Sequence, residues 1–130
     1  MVDFFSIGTN DLAQYTMAAD RTNPAGAALT DGLEPAVLRL IRMTAEAGAS
    51  AGKWVGVCGE LASEDAAVPV LIGLGVVELS MNPSAVSAVK GEVRRWTMKD
   101  AQNTAWRALA LASAREVRAM LAERVAPSRP

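Results

Sequence analysis

Asp3-Phe4-Phe5-Ser6-Ile7-Gly8-Thr9-Asn10-Asp11-Leu12 reads as a strand, then a polar turn, then the start of a helix. The short aromatic and apolar run over 3–7, closed by Gly8, suits a buried strand. Thr9, Asn10 and Asp11 then offer three side-chain oxygens in a row before a helix expected from Leu12 to about Ala19. The pattern recurs twice. Residues 54–58 form a second strand closed by Gly59-Glu60; Ser63 is the expected N-cap of a helix reaching about Leu74, and Gly75 its left-handed terminator. Pro69, inside that helix, should kink it or delay its start. Residues 76–81 form a third strand, stopped by Asn82-Pro83. Between the first two units lie a long loop over 20–34 and a helix from Pro35 to about Ala49. That helix has Val37, Leu38, Ile41 and Ala45 on one face and Arg39, Arg42 and Glu46 on the other. Helices at about 84–96 and 100–122, the second broken near Ala112-Ser113, and a frayed end over 127–130 complete the chain.

Strands separated by helical crossovers imply an α/β fold with a parallel sheet. Three strands cannot close an eight-stranded barrel, which takes about 250 residues. The sheet should therefore keep two open edges, an association hazard. Its inner face, expected to be Phe5, Ile7, Val55, Val57 and Leu79, should lack partners, so self-association is expected. The chain reads as part of something larger.

Composition narrows the function. The 130 residues are 51% hydrophobic, but 25 of those are alanine, enough core for one modest domain. The formal net charge of −1 marks neither a nucleic-acid binder nor an acidic tail. Residues 1–90 sum to −5 and residues 91–130 to +4, which reads as a basic, solvated face on the C-terminal helices. No apolar run approaches the ~18 residues of a membrane span, and MVDFFSIG lacks the basic start of a signal peptide. The single Cys excludes an internal disulfide and makes a reducing cytoplasm the default. There is no His, so the chain itself cannot carry a phosphohistidine, a Ser-His-Asp triad or a Cys-His nucleophile.

In parallel α/β folds, functional groups gather at the C-terminal ends of strands. Thr9-Asn10-Asp11 there could hold Mg²⁺ through Asp11 and orient an anion on backbone N–H groups, or could simply cap a helix. Cys58, at the mouth of the second strand, could donate a proton or be a small buried hydrophobe. Arg21 could reach an anion over the loop, or pair with Asp20 or Asp31 at the surface. Trp54, Trp96 and Trp106 read as packing residues on separate elements.

The run from Asp3 to Leu12, followed by Gln14-Tyr15-Thr16 and Ala18-Ala19-Asp20-Arg21, closely resembles the Enzyme I family, the phosphoenolpyruvate–protein phosphotransferases of the bacterial sugar phosphotransferase system. The segments 34–41 and 52–62, the latter carrying Cys58-Gly59-Glu60-Leu61-Ala62, continue the match. Gly73-Leu74-Gly75 through Leu79-Ser80-Met81 supplies a third signature. Leu61 and the 14–21 run favour this family over pyruvate phosphate dikinase and phosphoenolpyruvate synthase, whose barrels share similar motifs. A non-catalytic assembly or regulatory module is the alternative from another class.

The resemblance implies a partial TIM barrel: the last three βα units, with residues 1–126 as the C-terminal part of the barrel domain and 127–130 as a disordered tail. It implies phosphoenolpyruvate as substrate, Mg²⁺ as cofactor with Asp11 as ligand, Asn10 and Arg21 as substrate-binding residues and Cys58 as the proton donor. Gly59 belongs to the same loop as Cys58. By the same resemblance, the partners are the phosphocarrier protein HPr, through a histidine domain outside these residues, and a second copy in a homodimer. Met1 is expected to mark a truncation or an internal start, and the chain alone is expected to be inactive. Glu34, where Ser is common, and Asn82-Pro83 are mild departures from the pattern.

Overall fold

The computed structural model describes residues 1–20 and 22–123. The reading of 127–130 as disordered, and the position of Arg21, lie outside those residues. Three strands, β1 (Phe4–Gly8), β2 (Trp54–Cys58) and β3 (Glu78–Ser80), form one parallel sheet in the order β1-β2-β3. Among the described residues there are six α-helices: α1 (Thr9–Met17), α2 (Pro35–Ser50), α3 (Val68–Gly73), α4 (Pro83–Val93), α5 (Met98–Ala110) and α6 (Ala114–Glu123). The expected α/β class is borne out, and three parallel strands with this helical cover are consistent with part of a barrel.

The register fixes which residues share a face. Phe5 pairs with Val55, and Ile7 with Val57, which pairs in turn with Leu79. Val55 and Val57 are buried. A Cβ on Gly48 of α2 would strike Val55 and come near Phe5, so this is the side on which α2 lies. The face expected to be bare is thus the helix-covered one. Alternation then puts Phe4, Ser6, Gly8, Trp54, Gly56, Cys58, Glu78 and Ser80 on the opposite, open face. The periodicity was sound and the choice of side was inverted, because apolar content alone does not say which face meets helices.

On the open face, Phe4 and Trp54 stack with centroids 4.3 Å apart and planes 5° from parallel, yet both stay exposed. Trp106 is exposed too, beneath the Arg42 guanidinium at 4.7 Å. Trp96 donates its indole N–H to Glu92 at 2.7 Å. Two of the three tryptophans are therefore surface residues rather than packing residues.

On the covered side, α5 packs on α3 and α2. Ala105, Ala108, Leu109, Ala114, Val117 and Met120 join Val37, Leu38, Ile41, Val57 and Leu71 in one core. The C-terminal helices thus thicken the helical layer. Small residues permit this: a Cβ on Gly73 of α3 would come within 2.2 Å of the Ala101 carbonyl oxygen of α5.

Several boundaries differ from expectation for local reasons. α1 begins at Thr9, not Leu12, with Gly8 at its N-cap and no side-chain cap. Ser63 is no N-cap: it lies in a 3₁₀ turn over Glu60–Ser63, a second follows at Asp65–Ala67, and α3 starts only at Val68. Pro69 sits in the first turn of α3, so it delays the helix rather than kinking it. Gly75 terminates α3 as expected, at φ 97°. Its N–H bonds the Ile72 carbonyl, and that of Val76 bonds Leu71, a Schellman closure. Because Val76 serves the helix end, β3 begins two residues later than expected. The break between α5 and α6 is present, and Ser113 Oγ accepts the Glu116 N–H there.

Candidate functional site

Thr9 follows directly on β1 and opens α1, and its side chain is buried. Its Oγ1 donates to the Cys58 carbonyl oxygen at 2.9 Å. That oxygen, read from sequence as a free donor to a ligand, is committed to the neighbouring strand. One residue on, Asn10 Oδ1 accepts the Glu60 N–H at 3.3 Å. Asn10 is therefore not a cap: it joins the mouth of β1 to the mouth of β2. Gly59 lies beneath this latch at φ 103°, ψ −172°, a conformation open essentially to glycine alone. A Cβ there would also come within 2.7 Å of Thr9 Oγ1.

Cys58, the last residue of β2, is half-buried. Ser6 Oγ lies 3.7 Å from its Sγ, and Sγ lies 3.5 Å from the Ile7 carbonyl oxygen. A thiol so placed has weak polar neighbours and reaches the open face at the strand ends. Below it, a Cβ on Gly56 would meet the Glu78 carboxylate, which accepts the Ser80 hydroxyl. The open face thus carries layers, read from the register: Phe4 with Trp54, then Ser6, Gly56 and Glu78, then Gly8, Cys58 and Ser80 at the mouth.

Two cavities meet at the latch. One, of about 580 Å³, is lined by Asn10, Gly59, Glu60, Ser63, Glu64, Ser80, Met81 and Asn82. The other, of about 260 Å³, is lined by Thr9, Asn10, Asp31, Glu60, Glu64 and Arg118. Asn10, Glu60 and Glu64 belong to both.

Asp11 stands exposed in the first turn of α1, where the helix dipole favours an anion. Among the described residues no three His, Cys, Asp or Glu side chains gather into a metal cage. Asp11 is one carboxylate beside neutral oxygens, a fit for a hard cation that keeps water and takes further ligands from other groups.

Arg118 was not singled out by sequence, since its partners lie 87 and 54 positions away. Its guanidinium grips both Asp31 oxygens, the Nη2 contact at 2.9 Å, and reaches Glu64 Oε2 from Nη1 at 2.9 Å. Burial by itself would raise the Asp31 pKa; the Arg118 hydrogen bonds, the Leu33 N–H and the Arg118 charge outweigh it and hold the carboxyl below its ordinary value. Asp31, named from sequence as a surface partner for Arg21, is engaged by Arg118. The structure brings Asn10, Asp11 and Cys58 to one end of the sheet; what sequence does not show is that Thr9, Glu60 and Gly59 of the same two motifs join the loops there.

Residues 1–98 match the family model described as PEP-utilising enzyme, PEP-binding domain. The chain is 50% identical over 122 residues to a multiphosphoryl transfer protein of Xanthomonas campestris pv. campestris, covering 94% of this chain and 15% of that protein. It is 43% identical over 122 residues to a phosphoenolpyruvate-protein phosphotransferase of Bacillus subtilis, covering 94% of this chain and 21% of the relative. Against the protein of that name from Listeria monocytogenes the identity is 46% over 116 residues, 89% of this chain and 20% of the relative. The chain thus spans about a fifth or less of the length of these relatives.

Proposed function

The chain belongs to the PEP-utilising enzymes, within their PEP-binding domain, and from that premise we propose that it supplies one part of a phosphotransferase site. That site would take the phosphoryl group of phosphoenolpyruvate (PEP) to a histidine elsewhere in the protein, and from there to HPr for sugar uptake in the cytoplasm. The observation that supports it is the latch that joins Asn10 to the loop of Cys58 at one end of the sheet. Among the described residues no helix is long and apolar enough to cross a membrane.

In this proposal Asn10 and Arg21 bind PEP, Arg21 at the phosphate, and Asp11 offers a ligand to Mg²⁺. A bound Mg²⁺ would offset negative charge on the phosphoryl oxygens. As the P–O bond of PEP breaks, the bridging oxygen keeps the electron pair and an enolate of pyruvate remains. Cys58 then gives its S–H proton to C3 of that enolate, and the thiolate recovers a proton from solvent. Cys58 is half-buried and its thiol lies on the open face at the strand ends.

The surrounding architecture would be a (βα)₈ barrel of which residues 1–126 form the last three units. The open face, with its Phe4–Trp54 stack, would point inward there. The 130 residues alone would not turn PEP over, because no His is present to accept the phosphoryl group. With both outer strand edges unpaired by the described residues, the isolated chain would form a homodimer, which sedimentation over a concentration series would detect.

The deciding experiment uses the intact phosphotransferase that carries this chain. Cys58→Ala should bind PEP as before and lose pyruvate formation, whereas Arg21→Ala should weaken PEP binding as well. Near-normal pyruvate release by Cys58→Ala would return the thiol to a packing role.

A further inference from the structure

We infer that Arg118 is a positioning residue for the PEP site, tying the entry to α2 and the turn after β2 into a single cavity wall; the inference rests on the functional reading above. Three observations carry it. The guanidinium holds Asp31 bidentately and Glu64 through a further N–H, so one planar fork spans two segments that nothing in their sequence brings together. Each carboxylate sits on a structural joint: Asp31 Oδ1 also accepts the Leu33 N–H just before α2, and Glu64 separates the two 3₁₀ turns that follow β2. All three side chains line the 260 Å³ cavity that Thr9, Asn10 and Glu60 also line.

The anchor itself is firm. Val117, beside Arg118, is fully buried, and Ala114 and Met120 are in the core. Glu34 accepts the Ala114 N–H at 3.1 Å, and Arg39 donates to the Leu109 carbonyl at 3.0 Å, so the corner between α5 and α6 is pinned to α2. Core packing is thereby transmitted through Arg118 to the wall beside Asn10. Without the cation, the Asp31 and Glu64 carboxylates would face each other across the space it fills, and the two segments would separate.

The test is steady-state pyruvate formation by the intact phosphotransferase carrying Arg118→Met, Arg118→Lys, Asp31→Asn or Val55→Ala. Exposed ion pairs contribute little to global stability, so Arg118→Met should melt near the parent while its KM for PEP rises about tenfold and kcat changes less than about threefold. Lysine keeps the charge but not the fork and should fall between. Asp31→Asn should raise KM similarly and add little to Arg118→Met, since both break the tie between Arg118 and Asp31. Val55→Ala, which opens a cavity at the end of β2 away from the latch and the clamp, should lower the melting temperature and leave KM unchanged. An unchanged KM in Arg118→Met, or an equal rise in Val55→Ala, would overturn the inference. If the parent protein forms no pyruvate from PEP, the functional reading fails by itself. Amide exchange in the 130-residue chain then decides the clamp: protection lost together at 31–34 and 60–64 in Arg118→Met supports it, and unchanged protection sinks it.

Discussion

Thr9 Oγ1 donates to the Cys58 carbonyl oxygen at 2.9 Å, across 49 positions of sequence. The bond is buried at Thr9 and joins the last backbone unit of one strand to the first turn of the helix after its neighbour. It ties the start of α1 to the end of β2.

Thr9→Val keeps the shape and removes the donor. The Cys58 carbonyl loses this partner, which should cost about 1–2 kcal/mol of unfolding free energy. Urea denaturation of the chain measures it. A variant as stable as the parent would mean that water replaces the hydroxyl at no cost.

Gly73→Ala tests the closest helix approach. The added methyl would meet the Ala101 carbonyl oxygen at 2.2 Å, so α5 must shift away from α3. Backbone cannot yield as a side-chain tip does, and a loss of about 1–3 kcal/mol follows. Thermal unfolding by circular dichroism should show a lowered midpoint.

Ala18 ends α1 in the left-handed region at φ 50°, where a Cβ is strained. Its N–H and that of Ala19 close the helix on Tyr15 and Gln14. Ala18→Gly relieves the strain, partly offset by the greater freedom of an unfolded glycine, and should stabilise by about 0.5–1 kcal/mol. A destabilised variant in the same denaturation assay would contradict this.

Acid stability should depend on Arg118. The folded-state pKa of Asp31 lies below its unfolded value of about 3.9, so the carboxylate contributes stability that is full above that pH and lost as pH falls through the folded value. Arg118→Met leaves burial, which raises the pKa, opposed only by the Leu33 N–H. The parent should therefore exceed the variant at neutral pH only by the ~0–1 kcal/mol usual for such a pair, which keeps the two melting temperatures close, and the two curves should converge in strong acid. Denaturation profiles between pH 2 and 7 would show a constant gap instead if Asp31 were not the linked group.

Much of this was legible in sequence because it is local. Strand β2 was read to the residue, since Trp54, Val55, Val57 and Cys58 form an apolar run between Lys53 and the Gly59 turn. The Gly75 terminator and the break near Ser113 were legible for similar reasons: a left-handed stop and a hydroxyl cap act within one turn. Ser63 misled, because Ser-Glu-Asp is the chemistry of an N-cap, but Pro69 and the Glu64–Arg118 pairing prevail over it.

By itself, the sequence determined the alternation of strands and helices, the motif residues Asn10, Asp11 and Cys58, and the absence of any phosphoryl-accepting histidine. These follow from residue type and short-range spacing, which act within a few positions. Tertiary structure alone decided which sheet face the helices cover, that Thr9 and Asn10 point at the neighbouring loop rather than at their own helix end, and that Arg118 closes on Asp31 and Glu64. Each of these is a pairing across 49 or more positions, or a choice between two faces of equal periodicity. Only when the core packs do such groups come within hydrogen-bonding distance.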